Sequence, residues 1–153
     1  MVTLLMLWRW ALRTVYVFWE KCSLYLYQKR LTIWLACNAG NRIRRGCGKN
    51  RWKVEIADFT DAYLFFMRLA KILNSEIEAH NGMEQVFYTC KLPGTSGTLL
   101  LQECPEQNGT FATIKMQANV SHVWKIKISF IRKQHKENKT CLLYTSPSPR
   151  DRG

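Results

Sequence analysis

The feature that most restricts this chain is a change of hydrophobic period beginning at Trp52. Trp52, Val54 and Ile56 alternate with Lys53, Glu55 and Ala57, which places one set on one face of a short strand. Phe59, Ala62, Tyr63, Phe66, Ala70, Leu73 and Ile77 then recur at helical spacing, the mark of a helix of about 20 residues with one buried face. Asp58 offers an N-cap carboxylate, and Asp61 suits the positive end of the helix dipole. Asn81-Gly82 supplies the expected stop, because Gly readily takes the left-handed conformation common at helix ends.

The period then returns to two. Val86, Tyr88, Cys90 and Leu92 share a face, Pro93 to Gly97 is turn chemistry, and Thr98 to Glu103 is the return strand. Asn108-Gly109 is a strong hairpin signal. Ala112, Ile114 and Met116 line one side of the next strand, and Trp124, Ile126, Ile128 and Phe130 alternate with Lys125, Lys127 and Ser129 in the last. The expected class is α+β: one long helix packed on an antiparallel meander in the order β-α-β-β-β-β.

Composition suits a globular chain: 47% of the 153 residues are hydrophobic and 12% aromatic, enough to bury a core. Charge divides it. Residues 1–51 carry ten Lys or Arg against Glu20 alone, whereas residues 52–140 carry eleven basic and nine acidic residues. The net charge of +12 therefore belongs mainly to the N-terminal third, and a nucleic-acid footprint on residues 52–140 is not expected. The expected division is a leader over 1–51, an α+β domain over 52–140 and a tail over 141–153, which resembles translated sequencing adapter.

The leader is read as translated untranslated sequence, as an interfacial helix or as an organellar targeting segment. Arg9, Arg13, Tyr16 and Glu20 form a narrow polar stripe on an otherwise apolar helix, compatible with a membrane interface. Arg9 and Arg13 interrupt the first apolar run well short of the about 20 residues that a spanning helix needs.

No catalytic or cofactor-binding pattern emerges. His80, His122 and His135 lie beside no Cys, Asp or Glu at ligand or triad spacing. Gly94 and Gly97 read as turn glycines; Cys90 and Cys104, on adjacent strands, pair only if the register allows it, and the favoured reading is two reduced, buried thiols. The sequons at Asn108, Asn119 and Asn138 read as turn chemistry. The expectation is a non-enzymatic protein without metal or cofactor.

Residues 86–89, the hairpin to Asn108-Gly109, Phe111 to Gln117 and Trp124 to Phe130 together resemble the platform subdomain of the β-subunit appendage of clathrin-type heterotetrameric adaptor complexes. That resemblance spans at most residues 52–140. It implies an adaptor module of vesicle-mediated protein transport, cytoplasmic at membrane coats, whose partners are accessory-protein peptides and other adaptor subunits, with membrane contact indirect or through residues 1–37. Matching strand by strand, it implies a peptide groove near Trp52, Leu92, Leu101, Lys115 and Gln117. Leu92, Leu101 and Lys115 stand where the family has Arg, Tyr and Glu, making the implied groove more apolar. Two other expectations stand beside it: a secreted cystatin-like protease inhibitor, though Pro93 to Gly97 lacks the Gln-x-Val-x-Gly tip, and a small organelle-targeted α+β protein.

Overall fold

A computed structural model describes residues 2–39, 42–83, 85–120 and 124–133. The chain runs α1 (Val2–Cys37), β1 (Ile43–Arg45), β2 (Arg51–Ile56), α2 (Phe59–Ile72), β3 (Ile77–Asn81), β4 (Val86–Lys91), β5 (Thr98–Gln107), β6 (Thr110–Gln117) and β7 (Lys127–Arg132). Among the described residues seven strands form one sheet in the order β1-β2-β7-β6-β5-β4-β3. The class is α+β, as the alternation of periods implies.

Strands β3 to β7 follow one another as an antiparallel meander. β2 departs from it. This strand pairs with β7 in parallel, Trp52 opposite Ile128 and Val54 opposite Phe130, so the sheet is mixed. A parallel pair needs a long connection: α2 carries the chain from β2 to the far edge, and the meander returns it. The Asn108-Gly109 turn between β5 and β6 has φ of 56° and 84°, the left-handed pair that a tight hairpin demands.

The helix expected as far as Ile77 ends a turn earlier. Asp58 caps α2 by accepting the Asp61 N–H at 3.1 Å. At the other end Asn74 takes φ 56°, while the Ser75 N–H closes on the Ala70 carbonyl at 2.9 Å. This left-handed Asn stops the helix before Asn81-Gly82 can, and Ile77 passes into β3, where it faces Cys90.

The larger correction concerns residues 1–51. Leu24, Leu31 and Leu35 of α1 belong to the same buried core as Val54, Phe66, Leu101, Ile114 and Phe130. Trp34 meets Phe65 edge-on at 5.4 Å, and Phe65 meets Phe130 likewise at 5.4 Å, joining α1, α2 and the sheet. β1 pairs with β2, Ile43 opposite Val54. The core therefore crosses the expected boundary at Trp52. Full burial of each Leu is worth roughly 1.5–3 kcal/mol, so the second half of α1 is a structural element of the domain.

Candidate functional site

The five positions implied as a peptide groove do not assemble. Trp52, Leu92 and Leu101 are buried in the core, Leu101 lying opposite Tyr88 on one side and Ile114 on the other. Alternation sends Lys115 and Gln117 to the face opposite Ile114. Lys115 is half-buried and Gln117 exposed. The cause is the two helices: α1 and α2 cover the sheet face that Leu92 and Leu101 share, and the guanidinium of Arg45 lies 5.0 Å from the centre of the Trp52 ring.

A different surface stands open along α1. Glu20, Leu24, Gln28, Leu31 and Leu35 recur every three or four residues and are buried, making a seam that faces the domain. Both polar members are bonded: Glu20 Oε1 accepts from the Ser96 N–H at 2.8 Å and from its hydroxyl, and Gln28 Oε1 accepts from the Ile126 N–H at 2.7 Å. The Ser96 side-chain bond, then its backbone bond, hold the Glu20 carboxyl below its usual pKa against the opposing effect of burial. Toward the N-terminus the same side of α1 carries Arg9, Arg13 and Tyr16 together with Met6, Trp10 and Val17, and residues 2–19 are exposed all round.

On the opposite side, Leu5, Trp8, Leu12, Val15, Trp19, Leu26 and Ile33 repeat at spacings of three, four and seven, and are each 52–65% exposed. Leu4, Leu7 and Phe18 flank that line and are equally open. α1 is 36 residues without a break, about 54 Å at the helical rise. The result is a long apolar stripe pointing away from the domain. No helix among the described residues is long and apolar enough to cross a membrane.

A cavity of about 460 Å³ opens where the end of α1 meets β1, β2 and α2. Its apolar floor is Ile43, Val54, Ile56 and Phe65, with Trp34 and Leu64 beside them, and Cys37, Asn38, Ala39, Arg42, Asp61 and Arg68 complete the lining. That volume lies within the range of small-molecule sites.

Other chemistry-bearing residues do not converge. Cys22, Cys37 and Cys47 are exposed thiols, and Cys90 and Cys104 form no disulfide among the described residues. Burial pushes the Cys90 thiol up to about 11 and also raises that of Cys104. His80 Nε2 lies 2.8 Å from the Thr89 hydroxyl and its ring stacks on Phe87. Asn108 and Asn119 are exposed, while Asn138, His122, His135 and the tail lie outside the described residues.

The polar stripe of Arg9, Arg13, Tyr16 and Glu20 is legible in the sequence, but which apolar residues turn away from the domain is not, because α1 is apolar nearly all round and the contrast from which a face is read is weak. The signal available was the 3-4 repeat of Trp8, Leu12, Val15 and Trp19. Comparison with family models, curated proteins and solved structures finds no match to this chain.

Proposed function

We propose that the protein is a non-enzymatic interaction module that works at a membrane surface, with α1 lying in the plane of an anionic bilayer and the sheet held on its water side. The observation that carries this reading is α1 itself: its second half buries a seam against the domain, while its first half exposes a long apolar stripe beside the polar line of Arg9, Arg13 and Tyr16. Such a stripe suits the boundary between headgroups and acyl chains, where Trp and Tyr are favoured. Arg9, Arg13, Lys21, Lys29 and Arg30 stand on the same helix, and Glu20, its sole acid, is engaged by Ser96. Basic residues near an anionic surface contribute about 1 kcal/mol each.

A second copy fits the stripe less well. The 3-4 repeat resembles a coiled-coil seam, but a two-stranded coil would leave Leu4, Leu7 and Phe18 at its margin and set Lys29, three residues after Leu26 and four before Ile33, in the seam without an acidic partner. The setting in vesicle-mediated protein transport rests on the resemblance of residues 52–140 to an adaptor appendage. Peptide capture at Leu92 and Leu101 forms no part of the proposal, since both are buried.

Co-flotation of the full chain with vesicles tests it. Phosphatidylserine-containing vesicles should retain the protein, phosphatidylcholine vesicles should retain much less, and added salt should release it. Equal recovery without vesicles, or a dimer in sedimentation that survives with no vesicle binding, would overturn the membrane reading.

A further inference from the structure

We infer that the cavity between the end of α1, β1, β2 and α2 binds a small amphiphile with a single anionic head, such as a medium-chain carboxylate. The floor is hydrocarbon from three elements: Ile43 of β1, Val54 and Ile56 of β2 and Phe65 of α2. Ile43, Val54, Ile56 and Phe65 are buried from bulk water, so an alkyl chain laid there replaces poorly hydrated space with close contact.

The charges at its wall give the head group its sign. Arg42 and Arg68 both line the cavity and are exposed, and neither takes part in an ion pair or side-chain hydrogen bond among the described residues. Asp61, the one acid of the lining, already accepts the Ala57 N–H at 3.3 Å. Two uncommitted guanidiniums beside an apolar floor match a carboxylate attached to a chain, because Arg presents paired donors in the geometry a carboxylate accepts. The inference rests on the cavity and is independent of the membrane reading, although an in-plane α1 would bring the cavity near a bilayer that could supply such a molecule.

Alkylation of two thiols on α1 locates the ligand. Cys37 lines the cavity, whereas Cys22 lies on the exposed side of the helix. Decanoate below its micellar concentration should slow alkylation of Cys37 saturably and leave Cys22 unchanged, and decanol should do so only weakly. The paired exposed-site variant Arg42→Ala/Arg68→Ala should keep the fold by circular dichroism and weaken decanoate protection by about tenfold or more. The double variant Trp8→Ser/Trp19→Ser should lose vesicle binding and retain protection of Cys37, which separates failure of this inference from failure of the membrane reading. Protection of Cys22 in place of Cys37, equal protection by decanol, or decanoate protection unchanged in the arginine variant would overturn the inference.

Discussion

Glu20 and Ser96, 76 residues apart, meet where α1 crosses the turn between β4 and β5: Glu20 Oε1 accepts both the backbone N–H and the hydroxyl of Ser96. The bond ties the last turn of the exposed half of α1 to the domain. Its chemistry makes it pH-dependent. The folded-state pKa of Glu20 is depressed, so its contribution is present above the ordinary carboxylate pKa and is lost as pH falls through the lower folded value. The melting temperature of the parent should exceed that of Glu20→Gln at neutral pH, and the gap should close on acidification below the usual carboxylate range. A gap that does not vary with pH would contradict the assignment.

Removal of residues 1–37 should prevent cooperative folding. Leu24, Leu31 and Leu35 are each at most 1% exposed, and losing three buried leucines at roughly 1.5–3 kcal/mol apiece approaches the whole stability of a typical domain. Circular dichroism melting of a 38–153 fragment checks it: no sigmoidal transition is expected. Limited proteolysis of the full chain should leave a core that begins before Leu24, and a stable core beginning near Trp52 would contradict the packing of α1.

Leu101→Ser should unfold the protein, because Leu101 is fully buried and large-to-small changes in cores cost about 2–5 kcal/mol, with a hydroxyl to satisfy besides. Gly97 tests the same region from α1. A Cβ there would stand 2.8 Å from Leu24 Cδ2 and 2.9 Å from Leu92 Cδ1, so Gly97→Ala should cost about 1–3 kcal/mol through overpacking. Thermal melting of both variants measures the losses.

Thiol labelling should divide the cysteines by burial. Cys22, Cys37 and Cys47 are exposed and should react quickly near neutral pH. Cys90 is 1% exposed and its thiol is pushed up to about 11, so little thiolate is present or reachable. Mass spectrometry under native conditions should find Cys90 unlabelled until denaturant opens the core.

The sequence was most readable where one face is buried and the other wet. The alternation of Ile128 and Phe130 with Lys127 and Ser129 marks the inner face of β7, and Asp58 marks the start of α2. It was least readable where that contrast vanishes. In α1 the inward Leu24, Leu31 and Leu35 and the outward Trp8, Val15 and Leu26 are all apolar, so periodicity alone cannot tell core from surface. Trp124 heads the alternating run yet is 62% exposed, because the strand itself begins only at Lys127. The groove positions failed for a related reason: the strand pattern shows that Leu92 and Leu101 share a face with the core but not that two helices cover it. Lys115 and Gln117, by contrast, alternate with Ile114 and Met116, so the pattern itself places them on the other face.

Spin-label accessibility along positions 8–19 measures the orientation of α1 most directly. Single cysteines at 8, 9, 12, 13, 15, 16 and 19, in a background without the exposed native thiols, would report collisions with oxygen and with a water-soluble nickel complex. With anionic vesicles, labels at 8, 12, 15 and 19 should become oxygen-accessible and nickel-protected. Labels at 9, 13 and 16 should stay nickel-accessible, giving a period near 3.6 residues. Accessibilities that do not change on adding vesicles, or that change without this period, would contradict an α1 lying on a membrane with its outward stripe buried.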